Sequence, residues 1–100
     1  MGMVEKEQVI EVLKKVQDPE IQYDIWSLGL VYNIEIEGSK VNILMTFTTP
    51  MCPYGPQLMD DVRRQVSAID GVGEVAIDLT FNPVWSPEKM TEEAKIALGI

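Results

Sequence analysis

The chain predicts an α/β fold, a two-layer sandwich of order α-β-β-α-β-α whose three-stranded mixed sheet carries its helices on one face. Three observations predict it. Two stretches with the two-residue alternation of half-buried strands are separated only by Gly38-Ser39, so they form a β-hairpin. Between Thr46 and Pro56 the apolar period passes from two residues to roughly 3.6, which marks a strand running into a helix. A third alternating stretch, Val75, Ile77, Leu79 and Phe81, follows that helix and so should lie parallel to one hairpin strand by a right-handed crossover. Strands that are each apolar on one side need helices over that side.

The first helix is expected over residues 4–16, because Val9, Val12, Leu13 and Val16 fall on one stripe and Glu11 can pair with Lys15 on the outer face. Pro19 disfavours helical geometry in Asp18, so the helix stops near Gln17. Residues 18–29 are too irregular for a long strand and too apolar for a plain surface loop. They read as a packed connection with a helical turn around Asp24 to Leu28, closed by Gly29. Strand one follows over 30–37, with Tyr32, Ile34 and Ile36 buried against wet Asn33, Glu35 and Glu37. Gly38 stands first in a two-residue loop, as a type II′ turn requires, and strand two occupies 40–48.

Helix two should begin at Gly55 or Pro56, since proline suits the first helical position, and end at Ile69 before Asp70-Gly71. Strand three covers 74–81, with Val75, Ile77, Leu79 and Phe81 inward and Ala76, Asp78 and Thr80 outward. The last helix spans 87–98, with Ser86 and Thr91 as candidate caps. No repeat, linker or low-complexity segment divides the chain, so residues 1–100 read as one domain.

Composition excludes several functions. The net charge is −8, from sixteen acids and eight bases, and no basic cluster exceeds Lys14-Lys15 or Arg63-Arg64. Nucleic acid is therefore not an expected partner. No apolar run approaches the roughly 20 residues of a membrane span, and Met1 to Glu5 lacks a signal-peptide core, so a membrane is not expected either. A single cysteine suits a reducing compartment, and the chain is expected in the cytoplasm. Without histidine, a Cys–His peptidase is impossible. Without a second cysteine, nothing could resolve a mixed disulfide.

What chemistry remains centres on Cys52. It sits between Pro50 and Pro53 on the strand-to-helix loop, about one turn ahead of a helix N-terminus, where unpaired N–H groups and the helix dipole favour a thiolate. Thr48 and Thr49 offer hydroxyls to a thiolate or a bound sulfide. One thiol cannot supply the roughly four ligands of an iron–sulfur or structural zinc site, so any cluster would have to be shared between two chains or with a partner. Asp18, Glu20 and Asp24 form the second candidate group. They are either a solvated turn or acids that converge with the Cys52 loop at one end of the sheet, ordering it or helping to ligate iron. Trp26 and Trp85 read as sheet-end cover, and Met51 as packing.

Asp18-Pro19-Glu20-Ile21 with Ser27-Leu28-Gly29-Leu30-Val31 resembles the opening motif of the PaaD/SufT-like family, and Thr48-Thr49-Pro50-Met51-Cys52-Pro53 resembles its cysteine motif. The run from Trp85 to Ala94 is similar to the tail of its short bacterial and archaeal members. This sequence departs from the family's pattern at Met51, where many members have glycine, and at Gln22, where proline is common; that second difference implies a looser first loop. The resemblance implies an iron–sulfur cluster assembly domain that matures iron–sulfur proteins. Its functional positions fall here on Asp18, Glu20, Thr49 and Cys52.

Cys52 would then be the reactive thiol and a transient metal ligand, in an adaptor or carrier of iron, sulfur or cluster rather than an enzyme with turnover. No tightly bound cofactor is expected, and any iron or cluster would be held transiently. Expected partners are iron–sulfur assembly or client proteins, with a homodimer as a further expectation. Two alternatives stand beside this reading. One is an accessory subunit of a multicomponent oxygenase of the phenylacetyl-CoA type. The other is an enzyme of thiol chemistry, which lacks an evident base.

Overall fold

A computed structural model describes residues 4–48 and 53–99. The order is α1 (Lys6–Leu13), β1 (Val31–Glu37), β2 (Lys40–Met45), α2 (Gly55–Ser67), β3 (Glu74–Leu79) and α3 (Glu92–Leu98). The sheet order is β1-β2-β3, with β1 antiparallel to β2 and β2 parallel to β3. This is the expected mixed sheet: the hairpin closes at Glu37 opposite Lys40, with Gly38 at φ 60, and β3 returns through α2. Val41, Ile43 and Met45 of the central strand are fully buried under Val9 and Leu13 of α1 and Leu58, Val62 and Val66 of α2. The opposite face shows Asn33, Glu35 and Asp78 to solvent.

Several boundaries differ from expectation for local reasons. α1 ends at Leu13, and the chain then tightens through Lys15 N–H to Val12 and Val16 N–H to Leu13. Lys15 is thereby carried off the helix face, and Lys14 takes the partner expected for it, meeting Glu11 at 3.4 Å. The N-terminus of α1 is closed by a reciprocal box between Glu5 and Gln8. α2 begins at Gly55 as expected but stops at Ser67, leaving Ile69 to Val72 as a separate turn with Gly71 at φ 96. Leu79 lies beside Met45 on the helix-bearing face, as expected, but is left 40% exposed there. The last helix is two pieces, a 3-10 turn at Pro87–Lys89 and α3, broken by extended Met90 whose side chain enters the core. Thr91 caps α3 by accepting the Ala94 N–H at 3.1 Å, whereas Ser86 makes no side-chain cap.

The segment between β3 and α3 crosses the end of the sheet to the start of β1. Tyr32 donates its hydroxyl to the Pro83 carbonyl at 2.8 Å, and Trp85 donates Nε1–H to the Leu28 carbonyl at 2.7 Å. Thr91 N–H reaches Ser27, and the Lys89 ammonium lies 5.3 Å from the centre of the Tyr32 ring. Gly29, at φ 77, makes the approach possible, because a Cβ there would collide with the Lys89 carbonyl. Burial raises the Tyr32 phenol above its ordinary value, against a smaller opposite pull from the Thr46 hydroxyl.

Candidate functional site

Asp18 builds the first loop. Its carboxylate Oδ1 accepts the N–H groups of Glu20 at 2.8 Å and Ile21 at 3.0 Å, an arrangement that suits a short acid ahead of proline. Its own N–H bonds to the Tyr23 carbonyl, and its carbonyl accepts the Gln22 N–H at 2.7 Å. Gln22 sits at φ 62. A proline there could neither adopt that angle nor donate that bond, so the expected looseness is not what the loop shows. Gln17 and Asp24 form an isolated antiparallel bridge at its base, and Ile25 N–H returns to Val16. Asp24 Oδ2 accepts the Ser27 N–H at 2.8 Å, fixing the helical turn expected around it.

Asp18 is 1% exposed, yet its second oxygen, Oδ2, meets no donor among the described residues. A buried carboxylate oxygen without a donor is costly and uncommon. The same side chain lines a groove of about 420 Å³ between this loop and α2. Pro19 and Gln22 continue the wall on the loop side, and Gln57, Leu58, Asp61 and Arg64 form the helix side. Arg64 is shared with Asp60 at 3.1 Å and Asp61 at 3.4 Å on an exposed face, where such pairs contribute little to stability. The groove thus has the buried Asp18 carboxyl on one wall and the Asp61–Arg64 ion pair on the other.

Of the four positions expected to carry function, Asp18 and Glu20 share one turn, but only through Glu20's backbone; its carboxylate is exposed. Thr49 and Cys52 lie outside the described residues. The structure does describe both flanks of their segment. Phe47 is buried, and α2 starts at Gly55, where a Cβ would overlap the Phe47 ring. Glycine there lets the helix start press directly against the end of the strand. Among the described residues, no three His, Cys, Asp or Glu side chains converge to hold a metal ion. No described helix is long and apolar enough to cross a membrane.

Sequence reasoning missed Gln57, Asp61 and Arg64 as groove residues. Their spacing of i, i+4 and i+7 does put them on one side of α2, but nothing in it says which loop that side meets. The close contact at Gly55 was equally hidden, since its glycine is read first as a helix boundary.

Comparison with known proteins supplies a family-level match. Residues 6–77 match the model of a family described as iron-sulfur cluster assembly protein. A Porphyromonas gingivalis protein named Fe-S protein maturation auxiliary factor is 41% identical over 95 residues, 94% of this chain and 90% of the relative. A Bacillus subtilis protein of the same designation is 38% identical over 96 residues, 95% and 94% of the two chains. The crystal structure of a domain of unknown function from Bacillus anthracis aligns with a TM-score of 0.90 at 39% identity, covering 95% of this chain and 92% of that one.

Proposed function

Because the chain belongs to the iron-sulfur cluster assembly protein family, we propose that it is a maturation factor for iron–sulfur proteins, an adaptor or transient carrier acting in a reducing cytosol. The observation that carries this reading is the Asp18 carboxylate, buried, anchored through one oxygen and without a donor at the other among the described residues, on a groove walled by α2. Cys52 precedes that helix by three residues and is the soft ligand or persulfide acceptor. Thr49 is its hydrogen-bonding neighbour. Asp18 shapes the loop, and Glu20 adds an exposed carboxylate beside it.

Iron, sulfide or cluster is cargo in this scheme. One thiol per chain leaves most ligand positions to a second copy, a client or a small thiol. Such incomplete ligation suits a group that must be handed on. The acidic surface favours assembly proteins and clients with basic patches.

Anaerobic reconstitution with iron and sulfide tests the carrier role. Wild type should take up about one cluster per two chains or less, and Cys52→Ser should take up none. No uptake by wild type would remove the carrier role and leave that of an adaptor. A native pull-down comparing wild type with Cys52→Ala then identifies clients whose capture depends on the thiol.

A further inference from the structure

The two edges of the sheet are finished differently. Along β1 the pairing register shifts between Val31 and Asn33, and the crossing segment meets the strand's start at Tyr32. Irregular pairing and a covering segment are ordinary ways to keep a strand edge from recruiting another strand. β3 has an unbroken register with β2, contains no proline and, among the described residues, is paired on one side only.

The direction of its unpaired groups follows from two bonds. Glu74 donates its N–H to Ser39 at 3.3 Å and Thr80 donates to Met45 at 2.9 Å, so the even-numbered residues of this strand face β2. Val75, Ile77 and Leu79 therefore turn their N–H and C=O groups to the open edge. Their side chains share the helix-bearing face and are incompletely covered, Leu79 most of all.

We propose that this edge pairs with the β3 edge of a second copy of the chain, antiparallel and centred on Ile77. In that register Ile77 faces Ile77 of the second copy and Val75 faces its Leu79, all through outward backbone groups, so each apolar residue completes a hydrogen-bonded pair. On the other face Asp78 meets Ala76 and Glu74 meets Thr80, so no carboxylate opposes another. Centring the pairing on Ala76 would set Glu74 against Asp78, and centring it on Asp78 would set that acid against itself. A shift by half a step would point the apolar row to opposite faces. The apolar row and the charges thus select one register, and the occupant that fits it is this strand itself. Each copy carries −8, so salt should strengthen the association.

Sedimentation equilibrium under reducing conditions, at low and high salt, tests the proposal together with amide exchange read residue by residue. The dimer fraction should rise with protein concentration and with salt. The amides of Val75, Ile77 and Leu79 should slow by about tenfold or more in the dimer, while those of Ala76 and Asp78, which face β2, change little. Leu79→Lys should weaken association at least about tenfold, and Ile96→Lys, on an exposed position of α3, should leave it unchanged. A monomer at every concentration would overturn the proposal. So would a dimer whose edge amides exchange as in dilute protein, since another surface would then be used. Should Leu79→Lys fail to fold, amide exchange in the wild type decides alone.

Discussion

The loop at residues 18–23 and the crossing segment at residues 82–91 are both irregular, and they are held by opposite means. The loop is tied by Asp18 to its own next few residues, with side-chain bonds spanning only two or three positions. The crossing segment is tied to residues 51 and 57 positions away, at Tyr32 and Leu28. One is a local device whose side-chain bonds lie within its own sequence. The other exists only after the hairpin, the first loop and β3 have assembled, so its stability reports on the completed fold. The function proposed for Asp18 accordingly sits on the self-contained member of the pair.

The largest blow to the long-range member is Gly29→Ala. Its Cβ would strike the Lys89 carbonyl and would also force alanine into the left-handed region. A loss of about 3 kcal/mol is expected, read by chemical denaturation, with amide protection lost first around Thr91. The local member is broken by Asp18→Ala, which strips the Glu20 and Ile21 N–H groups of their acceptor and should cost about 2 kcal/mol. Asp18→Asn sharpens the comparison. It retains one oxygen for those donors and replaces Oδ2, which meets no donor among the described residues, by an amide, so it should cost less than Asp18→Ala. A cost for Asp18→Asn as large as that of Asp18→Ala would show that the charge itself holds the loop.

The smallest effect is expected at Tyr32→Phe, about 1 kcal/mol at neutral pH for the lost bond to Pro83. Its pH dependence carries a sign. The folded phenol ionises above the unfolded value of about 10. Between those two values the folded state holds the more protons, so stability falls as pH rises through that window. Tyr32→Phe should flatten this decline, which denaturation midpoints between neutral and strongly alkaline pH would measure.

Much of the sheet was legible because its signals are periodic or local. Gly38-Ser39 sets the hairpin, and the change of period after Phe47 announces α2. Asp18 ahead of Pro19 announced a turn, though not that the acid would be buried with one oxygen meeting no donor among the described residues. Asp18 also lines the groove that faces Leu58 and its neighbours on α2, a long-range juxtaposition that no spacing encodes. The break at Met90 escaped for a similar reason. Its surroundings have helical propensity, but a core position for its side chain prevails over continuation of the helix. Cys52 was singled out by its place between prolines on the strand-to-helix loop, and Thr49 by its hydroxyl there and the family resemblance. Both lie outside the described residues.

The seating of Gly55 beneath Phe47 has a practical consequence. The aromatic ring touches the first residue of the helix on one side and stands edge-to-face with Phe81 on the other, centroids 6.1 Å apart. Any displacement of the helix start must therefore be transmitted to those two rings, and their proton resonances are a built-in gauge of where α2 begins.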